Sequence, residues 1–178
     1  MNAIHGKAQM HLATVGMGSN LGDREANLRG AIRWLMAQGG NSVKACSSLY
    51  ETEPFGKTNQ AWFLNCVVQL ETSRGLLDFF RVLQEGEALC GRVRQGRWGP
   101  RTLDLDLLFF DDVVYSDSEL IVPHPGIPNR RFVLEPLCEV APDHVHPTLG
   151  EKALVLLDRL ADPSRVVRLE RFAHLEPR

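Results

Sequence analysis

Trp62-Phe63-Leu64-Asn65-Cys66-Val67-Val68-Gln69-Leu70-Glu71 alternates along its whole length. Leu64, Cys66, Val68 and Leu70 fall on one face and Phe63, Asn65, Val67 and Gln69 on the other, the period of two that a β-strand imposes. The first face is apolar throughout, so it faces a core. The second carries an aromatic ring beside two amides. Asn is depleted inside strands, and an amide next to an aromatic ring suits a flat heterocycle with hydrogen-bonding edges as well as it suits an exposed surface.

Working outward, a polar loop over Glu53 to Ala61, with Pro54, Gly56, Lys57, Asn59 and Gln60, precedes this strand. Before the loop comes an extended segment from Ser42 to Thr52. Leu28, Ala31, Ile32, Leu35 and Met36 recur at helical spacing and predict a helix over about 24–37, stopped by Gly39-Gly40. The apolar run His11 to Met17 predicts a strand that ends in a turn at Gly18-Ser19-Asn20. After the central strand, Leu76, Phe79, Phe80 and Leu83 predict a helix from Gly75 to about Cys90 with Gly91 as its stop. Gln84 and Glu87, three apart, share a side of it. A Gly- and Arg-rich loop, Gly91 to Arg101, leads to a strand from Leu103 to Phe110. Asp111-Asp112 reads as a turn into a short strand, Val113-Val114-Tyr115. Three prolines make Ile121 to Asn129 an extended, stiff loop, and Arg131 to Val140 and Leu149 to Leu160 read as helices. The order strand, helix, strand, strand, helix, strand fits an α+β, ferredoxin-like sandwich: an antiparallel sheet covered by helices on one face, with the other face or one end free for ligands.

At 178 residues the chain has room for one domain. Its 44% hydrophobic and 24% charged residues are those of a globular protein rather than a disordered one. A net charge of -2 gives no global attraction for nucleic acid or an anionic membrane. No run approaches the roughly 18 apolar residues of a spanning helix, and Met1 to His11 lacks the apolar centre of a secretory signal, so a cytoplasmic location is expected. Cys46, Cys66, Cys90 and Cys138 form no C-x-x-C pair and read as buried thiols. Arg supplies 16 of the 20 basic residues, a skew toward the planar fork that suits phosphate, although high genomic GC content produces the same skew.

Four of those arginines, Arg92, Arg94, Arg97 and Arg101, precede Leu103-Asp104-Leu105-Asp106 directly. On a strand, Asp104 and Asp106 project to one face with α-carbons about 6.6 Å apart while Leu105 and Leu107 anchor the other. Two carboxylates are enough for Mg²⁺, which keeps waters and takes substrate phosphates as its other ligands. Arginines on an adjacent loop would neutralise the remaining phosphate charge. Gly16-Met17-Gly18-Ser19-Asn20-Leu21 imitates a dinucleotide fingerprint but has Leu21 in place of the third glycine, and no P-loop is present. His144-Val145-His146 lacks a third ligand and reads as a surface pair. His124 is wedged between Pro123 and Pro125.

Arg97-Trp98-Gly99-Pro100-Arg101-Thr102-Leu103-Asp104-Leu105-Asp106-Leu107-Leu108 resembles the signature of the 6-hydroxymethyl-7,8-dihydropterin pyrophosphokinase family of the folate pathway. Gly18-Ser19-Asn20-Leu21-Gly22, Tyr50 to Gly56, Phe63-Leu64-Asn65, Val122-Pro123-His124-Pro125 and Asn129 to Phe132 agree in order and spacing, over about residues 11–160. The resemblance implies transfer of the diphosphate of ATP to the pterin hydroxymethyl group, with AMP released and two Mg²⁺ ions used. It implies that Asp104 and Asp106 bind the metal and that Arg92 and Arg101 are catalytic, gripping the phosphates. It places Gln84, Glu87, Arg94, Trp98, His124 and Arg130 on ATP, and Thr52, Pro54, Phe55, Phe63, Asn65 and Phe132 around the pterin. It further implies that the loops 53–61 and 91–101 close over the substrates.

Phe63 stands where some relatives have Tyr, which keeps a stacking face and removes a hydroxyl. Glu119 and Ile121 stand where relatives offer Arg and Thr, and both are left out of the site. Residues 1–10 and the tail after about 160 lie outside the resemblance. The expected protein is a single catalytic domain over 1–178, a monomer acting on ATP and a dihydropterin, with no nucleic acid or membrane partner. Two rivals remain at this point: a metal-dependent nuclease or nucleotidyl transferase using the same two aspartates, and a module that docks an acidic partner on Arg92 to Arg101.

Overall fold

The computed structural model describes residues 9–54, 56, 59–90 and 99–169. Five strands form the body of an antiparallel sheet: β1 (His11–Ser19), β2 (Asn41–Cys46), β3 (Tyr50–Thr52), β4 (Phe63–Thr72) and β5 (Asp104–Phe110). The central strand is β4, paired with β1 over its whole length from Ser19↔Leu64 to His11↔Thr72. Its other edge is shared by β2 at one end and β3 at the other. The single extended segment expected from Ser42 to Thr52 is therefore two strands. The break is made by Ser47, whose Oγ accepts the Val67 N–H at 2.9 Å while its own N–H reaches the Val67 carbonyl. One side chain thus replaces a rung of the ladder and lets the chain turn.

Two helices, α1 (Arg24–Ala37) and α2 (Leu76–Leu89), cover one face of this sheet. The start of α1 is capped by Asp23, whose carboxylate accepts from Ala26 N at 3.0 Å. Both bury the stripes that periodicity marks: Leu28, Ala31, Ile32 and Leu35 from α1, Phe79, Val82 and Leu83 from α2. They meet Ala13, Val15 and Met17 of β1, Leu64, Cys66, Val68 and Leu70 of β4, and Leu105 and Leu107 of β5. Burial of such side chains contributes ~1.5–3 kcal/mol each.

The expected sandwich is present, but helices on one face only is too simple. A third helix, α3 (Arg131–Val140), backed by the short α4 (Ala153–Asp158), packs on the opposite face over Val67, Leu108 and Phe109. A β-bulge makes this second core. Val15 pairs with Leu107 and Thr14 with Phe109, so Leu108 is the extra residue, and both Leu108 and Phe109 reach the α3 side. At one end of this face, where β1, β4 and β5 carry Gly16, Gly18, Asn65, Asp104 and Asp106, the first turn of α3 leaves a narrow gap.

Other expectations shift locally. The strand β1 runs through Gly18 to Ser19, so the glycines lie in the sheet and not in a turn. Val113 turns back onto the Phe110 carbonyl, and the short strand is β6 (Tyr115–Ser116), paired with β7 (Ile121–Val122). The stiff loop therefore begins as a strand and ends in a 3₁₀ turn, Ile127–Asn129. The helix expected from Leu149 starts late because Gly150, at φ +69°, turns the chain and Val145 bridges to Lys152. His144 and His146 are not a surface pair. Both pack on the Phe109 ring, at 4.1 and 5.5 Å between centroids, and His146 is buried. Cys66 is buried, whereas Cys46, Cys90 and Cys138 are only half-buried. Beyond residue 160 the chain adds an edge strand, β8 (Val166–Arg168), beside β3. Among the described residues no helix is long and apolar enough to cross a membrane.

Candidate active site

Asp104 and Asp106 project from β5 onto the end of the face that α3 leaves open. They are the point where two clefts meet. On one side, Thr52, Glu53, Gln60, Phe63, Asn65, Gly99, Arg101, Asp104 and Phe132 line an open cleft of about 480 Å³. On the other, Gln84, Glu87, Asp106 and His124 line a second of about 850 Å³, together with Glu119 and Ile121. A narrower gap floored by Gly16 and Gly18 holds both aspartates, Asn65 and Phe132.

The first cleft is apolar with a polar floor. Phe63 comes from β4 and Phe132 from α3. Asn65, 7% exposed, donates from Nδ2 to Thr52 Oγ1 at 2.7 Å, which fixes its amide in one orientation. A Cβ built on Gly18 lies 2.6 Å from Asn65 Oδ1, so the glycine makes room for that amide. Pro54 is elsewhere: it lines a neighbouring groove with Glu53, Trp62, Asp162, Pro163 and Ser164.

In the second cleft Glu87 spends Oε1 on the Leu105 N–H, 2.8 Å away, at the open edge of β5. This bond seats α2 against the strand between the two aspartates, while Gln84 remains exposed one turn away. The Nδ1 of His124 accepts from Gly126 N at 3.0 Å. Burial, and then the nearby Arg130 guanidinium, push the imidazole down to about 4. The ring is neutral at pH 7, and the Gly126 bond leaves its proton on Nε2, which faces Asp106 Oδ1 at 4.0 Å. Arg130 lies with its guanidinium carbon 5.8 Å from the centre of the Phe132 ring, and its charge acts on both His124 and Asp106.

The electrostatics converge on Asp106. Its carboxyl is pushed above the ordinary range by burial and by Asp104, with Glu87 adding to the effect and Arg130 and Arg101 opposing it. Its side chain nevertheless keeps 37% of its surface. Arg101 Nη1 pairs with Asp104 Oδ1 at 2.7 Å. A recessed group of like charges open to solvent suits a hard cation that prefers oxygen. Among the described residues no cluster of three or more His, Cys, Asp or Glu could hold a metal. A cation here would complete its shell with water and ligand oxygens, as Mg²⁺ commonly does.

The structure thus brings Thr52, Phe63, Asn65, Arg101, Asp104 and Phe132 together in one cleft and Gln84, Glu87, Asp106 and His124 in the next. Arg92, Arg94, Trp98 and Phe55 lie outside the described residues. Sequence reading missed Asn20, which is 3% exposed. Its Oδ1 accepts from Arg101 N at 2.7 Å, its own N–H donates to the Arg101 carbonyl, and its Nδ2 reaches Gln60 Oε1 and the Ala61 carbonyl, both at 3.1 Å. Its place in the Gly18-Ser19-Asn20-Leu21-Gly22 motif was the available signal.

Two clefts that share a pair of carboxylates define a class, enzymes that hold two substrates side by side for group transfer. The comparisons narrow it. The family model for 7,8-dihydro-6-hydroxymethylpterin-pyrophosphokinase matches residues 14–142. The 2-amino-4-hydroxy-6-hydroxymethyldihydropteridine pyrophosphokinase of Methylorubrum extorquens is 44% identical over 161 residues, 90% of this chain and 100% of that protein. The enzyme of the same name from Bacillus subtilis is 44% identical over 130 residues, 73% of this chain and 78% of that protein. A crystal structure of Plasmodium falciparum HPPK-DHPS A437G with pteroate shares the fold, with a TM-score of 0.66 at 15% identity over 86% of this chain. The chain spans 43% of that longer protein. The chain belongs to the 7,8-dihydro-6-hydroxymethylpterin-pyrophosphokinase family, and it is a pyrophosphokinase of folate biosynthesis that uses ATP.

Proposed function

We propose that the cleft between Phe63 and Phe132 takes the dihydropterin ring and that the cleft over Gln84, Glu87 and His124 takes ATP. The observation that carries this reading is the position of the aspartates, with Asp104 lining one cleft and Asp106 the other. The Thr52-oriented amide of Asn65 offers the ring edge a carbonyl oxygen in a fixed direction. The neutral His124 offers an N–H to a phosphate oxygen, and Arg130 and Arg101 supply positive charge on either side. Arg92, Arg94 and Trp98 are assigned to the nucleotide side, and Pro54 and Phe55 to the loop beside the pterin, on the family resemblance alone.

The pterin hydroxymethyl oxygen attacks the β-phosphorus of ATP. The bond from that phosphorus to the oxygen bridging to the α-phosphate breaks, AMP leaves, and the hydroxyl proton passes to solvent. Two Mg²⁺ ions at Asp104 and Asp106 would supply charge neutralisation and alignment of the phosphate oxygens. Such transfers spread charge over peripheral oxygens and need positioning more than a strong base. No residue of the cleft has to act as one.

Incubation with ATP, Mg²⁺ and 6-hydroxymethyl-7,8-dihydropterin, followed by separation of products, tests the reading. AMP and a pterin diphosphate in equal amounts are expected. ADP in place of AMP would refute it, as would hydrolysis of nucleic acid under the same conditions.

Gly18→Ala probes the pterin side. The added methyl drives the Asn65 amide out of its orientation, and a polar group left unmatched in a closed cleft costs about 1–3 kcal/mol. The KM for the dihydropterin should rise by roughly 10–100-fold, with the KM for ATP little changed and the melting temperature lowered by the loss of the buried Asn65–Thr52 bond. An unaltered pterin KM would place the ring elsewhere.

A further inference from the structure

The segment after residue 160 follows the part of the chain that the family model matches, yet it is bonded to three parts of the proposed pterin cleft. First, β8 pairs with β3 at Thr52↔Val166 and Tyr50↔Arg168. Without it, the three-residue strand carrying Thr52 would be the sheet edge, held on one side by β4 alone. Second, Arg165 grips both ends of the loop from Glu53 to Trp62. Its N–H donates to Glu53 Oε2 at 3.0 Å, its carbonyl accepts from Glu53 N at 3.1 Å, and its guanidinium carbon lies 5.3 Å from the centre of the Trp62 ring. Third, Asp162 caps the helix that carries Phe132. Arg130, at the cap position of α3, makes no side-chain cap bond. Asp162 Oδ2 instead accepts from the first helical amide, Arg131 N, at 2.9 Å, and the Asp162 carbonyl accepts from Arg131 Nε at 3.0 Å. Ser164 in turn holds Asp162 Oδ1 through both its N–H and its hydroxyl.

These bonds share one geometry. Thr52, Phe63 beside Trp62, and Phe132 beside Arg131 come from β3, β4 and α3, and Asp162 to Arg168 spans all three from outside. The partners are far apart in sequence, 112 positions between Glu53 and Arg165 and 31 between Arg131 and Asp162. We propose that Asp162 to Arg168 is a positioning clamp for the pterin cleft, setting the separation of Phe63 and Phe132 and the seat of the Thr52–Asn65 pair without touching either substrate. The proposal rests on the assignment of that cleft to the dihydropterin. It separates the two substrates, because none of the clamp's bonds reaches Gln84, Glu87 or His124.

The test uses the full chain with Arg165→Ala, Asp162→Ala and Asp162→Asn, assayed for AMP formation beside the parent. Asp162→Ala should raise the KM for the dihydropterin about tenfold. Arg165→Ala, which takes only the guanidinium from Trp62 and keeps both main-chain bonds to Glu53, should raise it about threefold. Both should leave the KM for ATP within about twofold and change kcat little. Asp162→Asn keeps an oxygen for Arg131 N and should recover part of the loss. Loss of the cap also lowers the melting temperature by ~2–4 °C, so a destabilised control is needed. Asp111→Ala serves, since Asp111 bonds His11 Nδ1 and Leu12 N at the far end of β1. It should lower the melting temperature and leave both KM values alone. If Asp162→Ala does not fold, the exposed Arg165 carries the test. Unchanged pterin KM in the variants, or pterin and ATP KM rising together, would overturn the clamp while AMP formation by the parent upholds the activity. A parent that forms no AMP would remove the activity and the clamp with it.

Discussion

Asp106→Asn is expected to lower turnover by about 10³-fold or more, the scale of an electrostatic group acting on charge that develops during phosphoryl transfer, and at the same time to stabilise the metal-free protein. The second effect follows from linkage. The folded state holds the Asp106 carboxyl above its ordinary pKa, chiefly through burial and Asp104. Below the ordinary carboxylate range folded and unfolded chains are both protonated there. As pH rises through the raised value, the unfolded chain has already ionised at lower free energy, and stability is lost. An amide does not titrate, so the variant escapes that loss. In chelator, its melting temperature should therefore exceed that of the parent, by more at pH 8 than at pH 5. The gain should be modest, a few degrees, because the side chain is still 37% exposed. Asp104→Ala should be equally inactive but gain less, since it also breaks the 2.7 Å pair with Arg101. Marked destabilisation of Asp106→Asn would instead mean a salt-bridged strand end with no cation to serve.

Arg101→Ala is expected to reduce kcat by ~10²–10³ while raising the KM for ATP far less. If its guanidinium follows the transferring group, its interactions strengthen in the transition state, and groups of that kind appear in kcat. Lysine restores charge without the planar fork, so Arg101→Lys should recover only part of the rate. Arg97, to which no role is assigned, is the internal comparison: Arg97→Ala should stay within about tenfold of the parent, roughly 1.4 kcal/mol. Steady-state kinetics on the three variants decide it. Arg97→Ala as damaging as Arg101→Ala, or an effect of Arg101→Ala on KM alone, would undo the assignment.

What the sequence exposes and what it hides follow from the range of the interactions. The faces of β4, the extent of α1 and the limits of α3 were legible because each is written in a local period of 2 or 3.6 residues. The convergence of Asp104 and Asp106 was legible for the same reason. The covering of the second face was not. It depends on a one-residue bulge at Leu108, which no alternation announces because the bulge is where alternation fails. The burial of His146 was missed because a strand-like H-x-H pattern says that two side chains share a face, not what lies beneath it. The split between β2 and β3 turns on the Oγ of Ser47, a residue that reads in isolation as a polar strand position. Hardest of all were Asn20 and Asp162, whose partners stand 81 and 31 positions away and belong to no shared motif.

Asn20 has a thermodynamic corollary. One buried amide joins Arg101, proposed above to follow the transferring group, to Gln60, which lines the same cleft, and to the Ala61 carbonyl beside it. Segments bonded to a common rigid point do not lose their conformational freedom independently. Whichever substrate arrives first bears the entropy of fixing both, and the second meets a site already ordered. Each substrate should then tighten the other by the same factor, whatever the order of addition, because the coupling is a property of the closed cycle of states and not of either route through it.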